Sequence, residues 1–160
     1  MLATLLASGR TLLADGATGT NLFAMGLTSG DAPEMWNLEH PDRVRTLHQG
    51  FVDAGADIIL IEGVMGLFDG DSSSADLATR LGIPILAVID GSHMAQTFGA
   101  LAHGLATYRP GLPFAGVFAN RVAGERHYQM LAESLPAGLT AHGWLPRDAD
   151  IALPSRHLGL

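Results

Sequence analysis

The chain contains no cysteine. That one absence excludes disulfides, thiolate-bound zinc and a cysteine nucleophile. It leaves the compartment open, with the cytoplasm as the expected location. Positive charge is scarce too. Nine basic residues stand against sixteen acidic ones, giving a formal net charge of −7. Phosphate backbones and anionic lipid surfaces are held by clustered cations, so neither nucleic acid nor a membrane surface is an expected partner. No apolar run is long enough to span a bilayer. The opening residues 2–8 lack a basic lead and read as a short amphipathic helix rather than a signal peptide. No internal repeat or low-complexity segment is present. What the sequence has in quantity is apolar residues, 48 %, with 20 glycines, which suits tight packing of helices on a sheet. At 160 residues it is long enough to bury one core and is expected as a single domain.

One stretch organises the rest. Ile58-Ile59-Leu60-Ile61 is a continuous apolar run, the pattern of a strand buried on both faces of a parallel sheet. It stops at Glu62-Gly63 and runs into a loop of glycines, aspartates and serines through Ser74. Open α/β sheets hold ligands outside the carboxyl ends of their strands, so this is the expected ligand side.

Taken in order, residues 11–15 read as a short strand. It runs into Asp15-Gly16-Ala17-Thr18-Gly19-Thr20-Asn21, a glycine turn opening a helix. Free N–H groups there suit an anion. The Gly-Lys-Ser/Thr ending of a phosphate loop is missing, however, and Asp15 would repel phosphate, so an ordinary strand-to-helix turn is favoured. Residues 22–40 read as irregular. Pro41 opens a helix over 41–54 with Val44, Leu47, Phe51 and Val52 on one face and Gly55 as its stop. Residues 56–62 are the strand of the organising stretch. The run Ser72-Ser73-Ser74 with Asp76 behind it caps a helix over 74–81 that ends at Gly82. A strand over 83–90 ends in Asp90-Gly91. Ser92 is the expected cap of a helix over 93–107, with Met94, Phe98, Leu101 and Leu105 inward. A strand over 114–120 ends in Asn120-Arg121. A helix over 124–135 turns Tyr128, Leu131 and Leu135 inward, and a strand over 139–144 leads to Trp144-Leu145-Pro146-Arg147-Asp148. The tail 152–160 reads as a connector. This alternation predicts an α/β fold of three layers, α/β/α, around a mostly parallel sheet of about five strands.

From Leu60 onward the residues resemble the ATP-dependent synthetase domain of the cobyrinate or hydrogenobyrinate a,c-diamide synthases. The resemblance rests on Ile61-Glu62-Gly63-Val64-Met65-Gly66-Leu67-Phe68-Asp69-Gly70, Met94-Ala95-Gln96-Thr97 and Asn120-Arg121-Val122 with Glu125-Arg126-His127. Leu145-Pro146-Arg147-Asp148 and Leu153-Pro154-Ser155-Arg156-His157-Leu158-Gly159-Leu160 extend it. It implies a P-loop-NTPase-like, dethiobiotin-synthetase-like topology, here lacking the P-loop, and a part in cobalamin biosynthesis. The family amidates two corrin carboxylates, taking ammonia from glutamine and activating with ATP and magnesium. It further implies that Glu62 helps hold magnesium, that Asn120 reads adenine with Gly143 to Pro146 lining the base, and that Asp69, Asp71 and Ser72 lie in the substrate-side loop.

Residues 1–60 resemble a different family, the homocysteine S-methyltransferase barrel of methionine synthases. Leu13-Ala14-Asp15-Gly16-Ala17-Thr18-Gly19-Thr20-Asn21-Leu22, Asp31-Ala32-Pro33-Glu34-Met35-Trp36-Asn37, His40-Pro41-Asp42-Arg43-Val44 and Ala54-Gly55-Ala56-Asp57-Ile58-Ile59 carry it. In that family Asp15 and Gly16 would touch homocysteine, and zinc would be held by cysteines that this chain does not have. The two resemblances together predict a chimera joined near Leu60, engineered or from a truncated reading frame. It is expected to lack catalytic activity and to require no cofactor. The histidines have no metal-ligand spacing and read as surface or capping residues. Arg121, Arg126 and Arg147 suit substrate carboxylates or ordinary salt bridges alike. An unpaired sheet edge would favour a homo-oligomer.

Overall fold

The computed structural model describes residues 9–28, 30, 35–63, 65–70 and 73–150, which fall into two compact units divided after Glu62. The expected helix over 2–8 and the connector over 152–160 lie outside the described residues.

In the first unit, helices α1 (Thr18–Ala24), α2 (Trp36–Glu39) and α3 (Pro41–Asp53) surround Leu22, Leu27, Trp36 and Leu47, with Phe23, Val44 and Phe51 packed on them. The stretch 22–40, expected as irregular, thus holds a helical turn at each end. Pro41 stands in the first turn of α3, where a missing N–H loses nothing. Leu47 is buried as the spacing requires. Val52, expected beside it, is 47 % exposed, because it lies at the border of the apolar stripe. Arg43 lies over the Trp36 ring, 5.4 Å from its centroid, and donates to the Met25 carbonyl at 2.8 Å.

The two strands expected over 11–15 and 56–62 reduce to one parallel bridge between Ala14 and Ile58. The reason is local. Asp57 takes the Leu13 N–H at 3.1 Å and Asp15 takes the Leu60 N–H at 2.9 Å. Carboxylates therefore satisfy backbone donors that a longer ladder would have paired. Ile59, Leu60 and Ile61, expected as a buried strand, are 42 %, 69 % and 59 % exposed.

The second unit carries α4 (Ser74–Leu81), β1 (Ile85–Asp90), α5 (Gln96–Thr107), β2 (Phe114–Val122), α6 (Glu125–Glu133) and β3 (Ala141–Pro146). Ser73 caps α4 in a full capping box. Its Oγ accepts the Asp76 N–H at 3.2 Å and Asp76 Oδ2 accepts the Ser73 N–H at 3.0 Å. Gly82 ends the helix in the left-handed region, φ 65°, which glycine adopts without strain. The strands form a parallel sheet in the order β1-β2-β3, with Asp90 opposite Asn120 and Val122 opposite Pro146. Among the described residues the sheet therefore has three strands, not five. Its core is Ile89, Phe98, Ala102, Val117, Ala119, Val122 and Leu131, which places α5 and α6 together on one face. On β1 the alternate residues Leu86 and Val88 stay 49 % and 63 % exposed, so among the described residues no second helical layer covers this strand. Leu101, expected inward, is 41 % exposed one turn away from buried Phe98.

Gly99 is where α5 meets the end of α6. A methyl group there would fall on the Ser134 carbonyl oxygen, while one at Gly104, in the same helix, would meet open space. Gly99→Ala is expected to destabilise the fold by about 1–3 kcal/mol through overpacking. Gly104→Ala is expected to stabilise it by about 0.5–1 kcal/mol. Urea unfolding followed by circular dichroism reads both, and equal shifts would refute the close crossing.

Candidate functional site

The carboxyl ends of β1, β2 and β3 bring Asp90, Asn120 and Pro146 to one end of the sheet. Gly91, just past β1, donates its N–H to the Asn120 carbonyl at 2.9 Å, and Arg147, just past β3, donates its N–H to Val122 at 3.1 Å. These bonds carry the pairing one residue beyond the strands and fix the loops' starting points.

Between them sits Arg121, with φ 58°, a non-glycine residue in the left-handed region. Such a conformation persists only where surrounding contacts enforce it. Two are evident. The Asn120 side-chain oxygen accepts the Arg121 N–H at 2.9 Å, and Arg121 Nη1 donates to Asp90 Oδ2 at 3.1 Å. Asp90 also accepts the Ser92 N–H at 2.9 Å through Oδ1. Ser92 is consequently no helix cap. It closes a turn on Asp90, and α5 begins only at Gln96. Hydrogen bonds from Ser92 first, and then the charge of Arg121, hold the Asp90 carboxyl below the usual carboxylate range. On the β3 side, Tyr128 and Trp144 stack at 6.0 Å, and Gly143 lies against the Phe118 ring.

Asp69 is not part of this cluster. It lines an open cavity of about 460 Å³ with Phe68, Leu101, Leu105, Tyr108 and Arg109, along the second half of α5. That helix is 12 residues long, or about 18 Å. It starts at the carboxyl end of β1 and finishes toward the start of β2, so Asp69 lies near the amino-terminal end of the sheet. Phe68 packs on Tyr108 at 4.7 Å, and Arg109 lies over Phe68 while donating to Asp76 at 2.7 Å. Asp71 and Ser72, placed with Asp69 in the same loop by the sequence, lie outside the described residues. Glu62 is exposed as the last residue of the first unit.

In the first unit Asp15 has one oxygen on the Leu60 N–H, while its Oδ2 is buried without a partner. Gly16 faces Phe51, whose ring leaves no room for a side chain there. The turn that follows opens α1 with Ala17, which offers no side-chain cap.

A magnesium triphosphate does not fit these residues. No three His, Asp or Glu converge among the described residues. The sequence contains no lysine at all, all nine basic residues being arginine. The glycine turn after Asp15, residues 16–21, carries no basic residue. Sequence reasoning missed the Asp90–Arg121 pair and the role of His127, whose ring meets two loops. The Asp90-Gly91-Ser92 spacing was an available signal for the turn on Asp90, but not for its ion pair.

Known proteins resemble different parts of the chain. The homocysteine S-methyltransferase family matches residues 12–61. The hydrogenobyrinate a,c-diamide synthase of Stutzerimonas stutzeri is 58 % identical over 127 residues, covering 79 % of this chain and 29 % of that one. The enzyme of the same description from Pseudomonas aeruginosa is 54 % identical over the same shares. The cobyrinate a,c-diamide synthase of Herminiimonas arsenicoxydans is 40 % identical over 144 residues, 90 % of this chain and 30 % of its own. The chain thus spans less than a third of these curated relatives. A match over nine-tenths of the chain necessarily runs back into residues 12–61, so the two similarities overlap. No solved structure matches. Among the described residues no helix is long and apolar enough to cross a membrane.

The acid response follows from Asp90, Asp76 and Asp57, each lowered in the folded state. A carboxyl lowered on folding adds stability above its unfolded value and loses it as pH falls through its folded value. The urea midpoint is expected to hold near neutrality and to drop as pH falls below about 4. Asp90→Asn should flatten that acid limb while leaving Asp76 and Asp57 to act. An unchanged limb in the variant would refute the pairing.

Proposed function

We propose that the chain is a fusion of two α/β fragments, the larger derived from the nucleotide-activating part of a corrin a,c-diamide synthase of cobalamin biosynthesis. The 58 % identity over 79 % of the chain supports the corrin-enzyme part of this reading, and the match of residues 12–61 to a different family supports the fusion. Asn120 at the carboxyl end of β2, with Gly143 to Pro146 beside it on β3, forms the base-facing end of that site. The phosphate end is absent, since neither a lysine nor a convergent acid cluster stands where ATP and magnesium would be gripped. Glu62 is what remains of the magnesium side, and Asp69, Asp71 and Ser72 of the substrate loop. The fusion therefore binds nucleotide through its base without turnover. An engineered origin accounts for such a join, and a truncated reading frame is the alternative.

The first unit carries a second reading, a homocysteine-contacting remnant. The buried, unpartnered Asp15 Oδ2 favours it, because an unsatisfied carboxylate oxygen is a ready acceptor for a ligand N–H. With no cysteine to hold zinc, this remnant binds without activating the thiol.

Isothermal titration tests the main reading. ATP is expected to bind with a Kd on the order of 1 mM, near −4 kcal/mol, and magnesium is expected not to tighten it. Asn120→Ala should weaken binding about tenfold, or about 1.4 kcal/mol. Magnesium-dependent tight binding, or phosphate release with a corrin diacid and ammonia, would overturn the proposal.

A further inference from the structure

The imidazole of His127 stands apart from the Asp90–Arg121 pair and from the cavity at Asp69. It stands at the third position of α6, half-buried, and its two ring nitrogens meet two different loops. Nδ1 accepts the backbone N–H of Ala123 at 3.2 Å. Nε2 lies 2.8 Å from the carbonyl oxygen of Met94. A carbonyl oxygen has no proton to give, so Nε2 carries the ring hydrogen. An amide N–H has no lone pair to offer, so Nδ1 is bare. The two contacts together select one neutral tautomer.

The loops concerned are those that leave β1 and β2. Met94 lies between β1 and α5, and Ala123 directly follows β2. Gly124 cannot cap α6 with a side chain, and the third helical residue instead reaches back to a backbone N–H ahead of the helix. In a capping box a Glu or Gln does this, as Asp76 does for Ser73 in α4. A carboxylate would satisfy Ala123 but could not donate to Met94. An imidazole does both, with acceptor and donor held apart by a rigid ring.

We propose that His127 is a positioning residue. As its Nε2–H tautomer it staples the Met94 loop to the Ala123 loop. It thereby helps hold Asn120 and the strained Arg121 in place, beside the Asp90 contact. The staple stands on geometry alone, and only its consequence for Asn120 rests on the reading of that residue as base-facing.

Nitrogen-15 NMR of the full chain tests the staple without any ligand. The expected result is a bare Nδ1 and a protonated Nε2 for His127. The opposite tautomer, or a ring averaging freely between the two, would overturn it. His127→Ala should speed amide exchange at Ala123 about tenfold while Val117, deep in β2, keeps its rate. His127→Gln, which offers both an acceptor and a donor, should stay within about threefold of the parent. Unchanged exchange at Ala123 in folded His127→Ala overturns the staple. Should that variant not fold, the tautomer in the parent chain still decides. In ATP titration, weaker binding by His127→Ala alone supports the link to Asn120. A parent chain that keeps the tautomer but binds no ATP removes the reading of Asn120 and leaves the staple standing.

Discussion

The second unit depends on β2 having a partner on each side. β1 and β3 each pair with it in parallel, so its N–H and C=O groups are satisfied along both edges. Val117, Ala119 and Val122 are then essentially sealed from water, and Phe98, Ala102 and Leu131 from the two helices close over them. Each of those helices is the crossover into or out of β2. The same strand delivers Asn120 and Arg121 at its carboxyl end, where the pairing with Asp90 fixes their height in the sheet. Fold and site are thus set by one strand, and the strain at Arg121 is tolerated because rigid neighbours hold both of its sides.

The sequence made much of this legible. Helices α3 and α4 lie within a residue of their expected bounds, and α5, α6 and the three strands within a few. These segments announce themselves by periodicity and by end signals such as Pro41, Ser73 and Gly82. What periodicity cannot show is whether a partner exists. Ile58 to Ile61 has the composition of a buried strand, yet burial needs neighbours on both edges and both faces. In its unit the neighbouring backbone donors are taken by Asp15 and Asp57, and pairing stops after one bridge. Val52 and Leu101 teach the same lesson on a smaller scale. A pattern marks the apolar face of a helix, but the edge of that face is buried only if something reaches it.

The site was legible in identity more than in arrangement. Asn120 stands at a strand end, as expected. Asp69 does not, because the loop that carries it descends along α5 instead of staying above the sheet. The left-handed turn at Arg121 is invisible in a sequence, since arginine carries none of the preference that glycine or asparagine would signal. His127 is equally mute. A histidine in the first turn of a helix is the same letter whether it faces water or joins two loops, and only the second loop's carbonyl separates the cases.

On the proposed reading, a base-facing end without a phosphate end accords with the fate of positive charge. Every basic residue is an arginine. Among the described residues, Arg10, Arg45, Arg109 and Arg121 are each committed to an aspartate of the same unit. Guanidinium forks suit carboxylates well, and a fork so engaged has less to offer a phosphate. The remaining field is that of a chain with net charge −7, which opposes the approach of a polyanion. A lysine in a glycine turn resists this by acting as a mobile point charge amid free N–H groups, and the Asp15 turn has no such residue. A neutral heterocycle meets none of that repulsion. The ion pairs that tie these arginines to aspartates thus leave the proposed site at Asn120 suited to a neutral ring rather than to a phosphate.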